Sequence, residues 1–163
     1  MKIAFLDRDR TISKEYPDEE WNSITEPILL EGTIEGLKKI KEKEYEFIIL
    51  TNQGLISKGI ITEKQYEDYT NKLINILKEN DIDILKVYHC PHRSIDNCNC
   101  KKPKTGMIDN ALKDYDIDLK NSFYIGDSYS DYELAKKFNL DFYGIKGRNN
   151  DDIFKYENIN EIF

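Results

Sequence analysis

Five short apolar runs, separated by amphipathic stretches, constrain the fold of this chain more than any other feature. Their sequences are KIAFL (2–6), EFIIL (46–50), ILKVYH (84–89), SFYIG (122–126) and DFYGI (141–145). Runs of this length, rich in Ile, Phe, Tyr and Val, are typical of strands that are buried on both faces of a parallel sheet.

The stretches between these runs predict four helices, over residues 33–43, 62–80, 105–115 and 130–138. The second helix opens with Thr62 and Gln65, which have the spacing of a capping box. This alternation predicts an α/β fold of three layers, in which right-handed crossovers place helices on both faces of a mainly parallel sheet. The sequence does not decide whether the tail, residues 149–163, forms a last helix or a loosely held end.

The length and charge of the chain narrow its class. We expect its 163 residues to form one domain, 1–163. No stretch is apolar enough to span a bilayer, and the start MKIAFLD meets a charge too early for a secretory signal, so we expect a cytoplasmic protein. The formal net charge of −7 argues against a general nucleic-acid binder, which needs a basic face. We expect a monomer with neither a nucleic-acid nor a membrane partner.

Two aspartates, Asp7 and Asp9, follow the first strand and flank Arg8. If the extended backbone continues past Leu6, the two carboxylates point the same way and Arg8 points the opposite way. Such a pair can hold a hard divalent cation such as magnesium, or divide the roles of nucleophile and proton donor. A helix cap or a turn is the alternative interpretation of these two residues.

Two further strand ends carry polar residues. Thr51, before Asn52 and Gln53, places a hydroxyl and backbone N–H groups where they can hold phosphate oxygens, although such a sequence is also ordinary turn chemistry. Asp127 and Asp131 follow the fourth strand, where the helix dipole alone would explain one carboxylate. Together with the lysines of KKPKTG (101–106), these segments suit phosphoryl transfer.

These motifs, in this order, resemble the haloacid dehalogenase (HAD) superfamily of phosphohydrolases. The features that carry the resemblance are DRDRT, Thr51, a lysine before the fourth strand, and GDSYSD. Together with LLEGTIEGLKKIKEK, TNQGLISKG and CNCKKPKTGM, they are most similar to the branch of D-glycero-D-manno-heptose 1,7-bisphosphate phosphatases and histidinol-phosphate phosphatase domains. The resemblance implies a Rossmann-like HAD fold without a separate cap domain.

The resemblance also implies catalytic roles. Asp7 would be the nucleophile that forms an aspartyl-phosphate, and Asp9 would protonate the leaving alcohol and later deprotonate the attacking water. Thr51 and Lys102 would hold the transferring phosphoryl oxygens. Contacts with the rest of the substrate would come from Asn52, Gln53 and Lys101.

By the same resemblance, magnesium would be bound by Asp7, the backbone carbonyl of Asp9 and Asp127. Asp131 would support this metal shell. The sequence departs from the branch at two positions: Arg10 stands where glycine is common, and Ser128 where lysine is common.

A second metal site is indicated by Cys90, His92, Cys98 and Cys100, which have the spacing C-x-H-x5-C-x-C. A Cys3His set fills a tetrahedral zinc site without an open position, so a zinc ion here would be structural. A cysteine cluster without metal is the alternative. Because Lys101 and Lys102 follow Cys100 directly, zinc would fix where these ammonium groups point.

The sequence therefore predicts a magnesium-dependent phosphomonoester hydrolase that acts on a small phosphorylated sugar or alcohol. By the resemblance, heptose 1,7-bisphosphate, cleaved at the 7-phosphate, is the first candidate substrate, and histidinol phosphate is the alternative. A zinc-stabilised binding module without catalysis is a hypothesis of another class. The acidic charge disfavours a nucleic-acid 3′-phosphatase. Tyr16 and Trp21 could cover the site, but we expect them to pack against the domain.

Overall fold

Five parallel strands form the centre of the protein. The computed structural model describes residues 1–163. The strands are β1 (Ile3–Leu6), β2 (Glu46–Asn52), β3 (Ile84–Cys90), β4 (Phe123–Gly126) and β5 (Asp141–Gly144). They lie in the order β3-β2-β1-β4-β5, and every neighbouring pair is parallel. The predicted parallel sheet is confirmed, with all five strands at the expected places.

Four helices cover the two faces of the sheet. They are α1 (Thr33–Glu42), α2 (Glu63–Glu79), α3 (Gly106–Asp114) and α4 (Tyr129–Lys137). Side chains of α1 and α2 pack with Ala4 and Leu6 on one face, whereas those of α3 and α4 pack with Ile3 and Phe5 on the other. The period-two alternation of β1 therefore divides the core into two layers, and the three-layer prediction is confirmed.

The predicted helix start at Thr62 is also confirmed. Its hydroxyl accepts a hydrogen bond from the Gln65 backbone N–H, and the Gln65 side chain accepts one from the Thr62 N–H. The tail forms no α-helix, but it is held in place. A short 3-10 turn at Ile159–Glu161 packs on α1, where a Cβ on Gly36 would lie 2.5 Å from the Ile159 side chain.

Strand β2 extends two residues beyond the sequence expectation, because it pairs with β3 as far as Asn52 opposite Cys90. Asn52 thus belongs to the strand and not to the following turn. This register places the last residues of β2 beside the start of the cysteine loop. The loop is therefore tied to the same sheet edge as the aspartates that follow β1.

The segment between β1 and α1 folds over this edge without forming a separate layer. Trp21 is buried in it and makes edge-to-face contacts with Tyr16 and Tyr69, with ring centroids 5.2 and 5.4 Å apart. The expected packing role of the two aromatic residues is confirmed, and Trp21 also lines a cleft described below. No α-helix of the chain combines the length and the apolar character that crossing a bilayer requires.

Candidate active site

Three carboxylates meet at the carboxyl edge of the sheet. Oxygen atoms of Asp7, Asp127 and Asp131 all lie within 4.8 Å of one another, and the three residues are buried. They meet because β1 and β4 are neighbours, and the Asp7 N–H continues the ladder by donating to the Ile125 carbonyl at 3.0 Å. The structure thus brings together three of the acids that the sequence analysis singled out.

Lys102 lies at the centre of this acidic group. Its Nζ donates to Asp7 Oδ1 at 2.8 Å, to Asp131 Oδ1 at 2.7 Å and to the Leu50 carbonyl at 2.8 Å. The side chain is 3% exposed. Burial disfavours the ammonium form, but the carboxylates of Asp131 and Asp7 outweigh it and raise the pKa of Lys102 well above its usual range. The lysine is therefore charged in place.

Asp131 is positioned by the start of α4. Ser128 is the N-cap residue, and it forms a capping box with Asp131. This gives Ser128 a role that the sequence left open. Gly126 leaves the space for the carboxylate, since a Cβ there would lie 2.5 Å from Asp131 Oδ2. Tyr124 Oη donates to Asp131 Oδ1 at 2.8 Å. Sequence reasoning missed this contact because Tyr124 has the pattern of an ordinary strand residue.

The charge balance of this group favours a bound cation. Burial and the neighbouring Asp7 carboxylate raise the pKa of Asp127 to about 9. Three carboxylates face one ammonium, and the Arg10 guanidinium lies beside them, with Nε 3.5 Å from Asp127 Oδ2. Carboxylate oxygens are the ligands that magnesium prefers, and a divalent cation would hold all of them ionised. The residues present therefore fit Mg²⁺.

Arg10 has a left-handed backbone, with φ of 68°. This conformation explains why glycine suits the position, because few L-residues adopt it without strain. The Arg10 guanidinium also donates to Glu15. The loop thus keeps its turn with arginine, and the side chain lies at the mouth of the site.

Asp9 differs from the sequence expectation in its partner. Arg8 does not point away from it: Arg8 Nε donates to Asp9 Oδ1 at 2.9 Å and Nη2 donates to Asp9 Oδ2 at 3.0 Å. The expectation was wrong because β1 ends at Leu6, so strand alternation does not apply beyond it. Gln53 Nε2 also donates to Asp9 Oδ2, at 3.1 Å, and to Thr51 Oγ1, at 2.8 Å.

Two adjoining clefts open above these residues. The inner cleft, of about 320 Å³, is lined by residues that include Asp7, Asp9, Thr51, Lys102 and Asp127. The outer cleft, of about 330 Å³, is lined by residues that include Asp9, Asn52, Gln53, Lys58, Arg93 and Lys101. All of the predicted catalytic and substrate-contacting residues line one cleft or the other. Sequence reasoning missed Lys58 and Arg93, which only the tertiary fold brings beside Lys101.

Asn52 has a structural task in addition to lining both clefts. Its Oδ1 accepts from the Lys102 N–H at 2.9 Å, and its Nδ2 donates to the Lys102 carbonyl at 3.3 Å. This two-point contact joins the end of β2 to the residue that follows the cysteine loop. It fixes the backbone from which the Lys102 ammonium enters the acidic group.

The cysteine loop brings Cys90, His92, Cys98 and Cys100 together, with one donor atom from each within 4.8 Å of the others. Burial alone would raise the pKa of the Cys98 thiol, but hydrogen bonds from the Lys101 and Cys100 backbone N–H groups help to lower that pKa to about 6. Three sulfur donors and one imidazole at this spacing fit a tetrahedral zinc ion. The loop therefore offers a second possible metal site, separate from the carboxylates.

The model of the family described as Polynucleotide kinase 3 phosphatase matches residues 2–146. The chain belongs to this HAD phosphatase family. It is 42% identical over 144 residues to the D-glycero-alpha-D-manno-heptose-1,7-bisphosphate 7-phosphatase of Photorhabdus laumondii, covering 84% of this chain and 78% of that one. It is 36% identical over 146 residues to the histidine biosynthesis bifunctional protein HisB of Blochmanniella floridana, covering 89% of this chain and 40% of that protein.

The fold of this HAD phosphatase is shared by a solved relative. The crystal structure of D,D-heptose 1,7-bisphosphate phosphatase from B. bronchiseptica, complexed with magnesium and phosphate, superposes with a TM-score of 0.78 at 23% identity. The match covers 88% of this chain and 80% of that chain. The predicted HAD fold is therefore confirmed.

Proposed function

We propose that this chain is a magnesium-dependent phosphomonoester hydrolase that works through an aspartyl-phosphate. The observation that carries the proposal is the buried contact between Asp7 and Lys102 beside Asp127, at the floor of an open cleft. A carboxylate held by an ammonium and facing a metal-binding acid has the arrangement that phosphoryl transfer requires.

The proposed reaction has two displacements. A carboxylate oxygen of Asp7 attacks phosphorus, the bond from phosphorus to the alcohol oxygen breaks, and Asp9 gives its proton to that oxygen. Water then attacks the aspartyl-phosphate, Asp9 takes the water proton, and inorganic phosphate leaves Asp7. Lys102 and Thr51 bind the phosphoryl oxygens in both steps.

Asp7, Asp127 and the backbone carbonyl of Asp9 would hold the magnesium ion, with Asp131 in support. When bound, the ion would neutralise charge on the phosphoryl oxygens. Asp131 would support the metal site indirectly, because its side chain contacts Lys102, Tyr124 and Ser128. It keeps the ammonium beside the nucleophile.

For the substrate we propose D-glycero-D-manno-heptose 1,7-bisphosphate, cleaved at the 7-phosphate. The support is the names of the relatives and a group of three cationic side chains in the outer cleft. Lys58, Arg93 and Lys101 line that cleft, next to the inner one, where a second phosphate of the same substrate would lie. Asn52, which lines both clefts, and Gln53, which lines the outer one, would contact the sugar.

Histidinol phosphate is the second candidate substrate. The outer cleft is also lined by Asp9, Glu15 and Asp18, and such acids suit the ammonium group of histidinol. Lys58 is paired with Asp18 at 3.2 Å, so one of the three cations is already partly neutralised. The net charge of −7 argues against a polynucleotide substrate, despite the description of the family.

For the cysteine loop we propose a structural zinc ion bound by Cys90, His92, Cys98 and Cys100. Burial raises the pKa of the Cys90 thiol, so that without a metal ion this ligand is protonated. A bound metal ion deprotonates a coordinating thiol and makes the loop rigid. The monomeric state and the cytoplasmic location remain predictions from the sequence.

A substrate panel tests the proposed function. Phosphate release with magnesium is measured for heptose 1,7-bisphosphate, histidinol phosphate and a 3′-phosphorylated oligonucleotide. We expect the highest kcat/KM for the heptose substrate. A higher kcat/KM for histidinol phosphate would change the proposed substrate but not the proposed reaction. No turnover of any of the three compounds, with zinc bound, would favour the binding-module hypothesis.

A further inference from the structure

The Arg8 side chain contacts Asp9 but has no role in the two proposed displacements. We propose that Arg8 is a positioning residue, which holds the Asp9 carboxyl group at the boundary of the two clefts so that Asp9 can give its proton to the departing alcohol oxygen. This inference rests on the proposed function, because it assigns a task within that reaction.

Arg8 and Asp9 form a bidentate contact, which we call the fork. Two guanidinium nitrogens of Arg8 donate to the two different oxygens of Asp9, at 2.9 and 3.0 Å. A bidentate contact of this kind fixes the plane of the carboxylate as well as its position. The third contact of Asp9, from Gln53 Nε2 at 3.1 Å, reaches only one oxygen and would leave the carboxylate free to rotate.

Arg8 is in turn held by an aromatic cage, which we define as Trp21, Tyr66 and Tyr69. The guanidinium carbon lies 4.6 Å from the ring centroid of Tyr69, and 5.6 and 5.7 Å from those of Trp21 and Tyr66. Arg8 Nη1 also donates to Thr70 Oγ1 at 3.3 Å. Cation–π contacts on a planar guanidinium restrict its orientation, so the fork is rigid.

Arg8 and Asp9 differ in their exposure, and this difference assigns them different roles. Arg8 is 1% exposed, so it lies beneath the clefts and cannot touch a bound substrate. The Asp9 side chain is 19% exposed and lines both clefts. An alcohol oxygen that leaves phosphorus in the inner cleft, while the rest of the substrate occupies the outer cleft, must pass this carboxylate.

Stability alone does not account for the pair. Burying a guanidinium among aromatic rings carries a desolvation penalty, and apolar side chains of similar size often replace buried ion pairs without loss of stability. Methionine would fit the cage, since it is unbranched and packs well on aromatic rings. A charged residue at this position is therefore better explained by its effect on Asp9.

The test uses the dependence on the leaving group. Arg8→Met, Arg8→Lys and the surface control Lys64→Met, 82% exposed at its side chain, are compared with the wild-type protein. With enzyme in excess, the first-turnover release of alcohol is measured for n-butyl phosphate and for p-nitrophenyl phosphate. The p-nitrophenolate anion leaves without a proton, whereas butanol needs one.

We expect Arg8→Met to slow butanol release by about 100-fold, the size of a misplaced catalytic group, while p-nitrophenolate release changes by less than about threefold. Arg8→Lys keeps the charge and loses the fork, so we expect about a tenfold loss on butyl phosphate. Because Arg8 does not reach the cleft, the KM from separate steady-state measurements should stay within about twofold, and Lys64→Met should match the wild type.

An equal loss on both substrates, or no loss on either, would overturn the positioning role while the wild-type turnover still supports the phosphatase. If the wild-type protein releases neither alcohol and also no phosphate from any member of the substrate panel, the proposed function fails and the inference fails with it. Thermal unfolding of each variant identifies loss of fold. Should Arg8→Met fail to fold, the ratio of the two rates in Arg8→Lys decides the question.

Discussion

The ammonium of Lys102 lies 2.8 Å from Oδ1 of Asp7, although 95 positions separate the two residues in the chain. The lysine comes from the end of the cysteine loop, and the aspartate comes from the end of the first strand. Their contact makes the proposed nucleophile dependent on a loop with little apolar core of its own.

Asp7→Asn should reduce phosphate release to the background rate and leave the fold intact. The amide is neutral and cannot attack phosphorus, yet it has the same size as the carboxylate. Turnover with magnesium and circular dichroism are the two measurements. The control is Asp83→Asn, at an exposed position just before β3 on the opposite edge of the sheet. Near-normal activity of Asp7→Asn would contradict the covalent mechanism.

Lys102→Met should abolish turnover and also destabilise the protein. Asp131 is fully buried, so removal of the ammonium leaves its carboxylate without a charged partner. Such a change costs about 3–5 kcal/mol in the free energy of unfolding, which urea titration measures. The double variant with Asp131→Asn should recover most of the stability but not the activity. Equal stability of the single and double variants would show that the pair is not coupled.

Magnesium should stabilise the protein more as the pH rises from about 6 to about 8. In the metal-free protein the pKa of Asp127 is raised to about 9, above the ordinary value of about 4. Between these values the folded state holds a proton that the unfolded chain has released, so metal-free stability falls with rising pH. Magnesium binds the ionised carboxylate and offsets this loss.

The shift in Tm on adding magnesium, measured at the two pH values, tests this expectation. Asp127→Asn cannot ionise, so its shift should be small and should not depend on pH. A magnesium-induced shift in the wild-type protein that is equal at both pH values would contradict the proposed ligand role of Asp127.

Cys98→Ser should release zinc and weaken catalysis. The serine hydroxyl is a poor zinc ligand, and loss of one of four donors opens the site. Because Lys101 and Lys102 follow Cys100, KM should rise and kcat should fall together. Elemental analysis measures the zinc content, and Asn99→Ala, an exposed position between two ligands, is the control. Unchanged zinc content in Cys98→Ser would refute the ligand set.

Arg93→Met should raise KM for a bisphosphate substrate by about tenfold, with kcat nearly unchanged. Arg93 lines the outer cleft, and its guanidinium donates to the Ser57 hydroxyl and forms no salt bridge, so its charge would serve binding in both ground and transition states. A monophosphate substrate should show no such change. Lys120→Met, at an exposed position before β4, is the control. An equal effect on both substrates would exclude Arg93 from a second phosphate site.

The sequence was informative where local rules determine the structure. The apolar runs located the five strands, and the spacing of Thr62 and Gln65 located a helix start. The aspartates after β1 and β4 converge because the carboxyl ends of neighbouring parallel strands lie side by side. The positions of Asp7, Asp127 and Asp131 therefore follow from topology once the strands are known.

Sequence reasoning failed where a contact depends on chain reversal or tertiary packing. Arg8 turns towards Asp9 because the strand ends two residues earlier, and the cage that holds it is assembled from residues on distant segments. Lys58 and Arg93 meet in the outer cleft only after β2 and β3 pair. The hydrogen bond from the Tyr124 hydroxyl to Asp131 could not be predicted from the hydropathy pattern, which indicates only that Tyr124 belongs to a buried strand.

The link between Asn52 and the backbone of Lys102 sets a limit on how this protein can diverge. The loop that carries Arg93 can change in sequence or in length so that it recognises a new metabolite. Every such change must still return the chain to the same anchor on β2, or the nucleophile loses its cation. The evolution of new specificity in this loop is therefore constrained by the geometry of the attack on phosphorus, which is the same for every substrate.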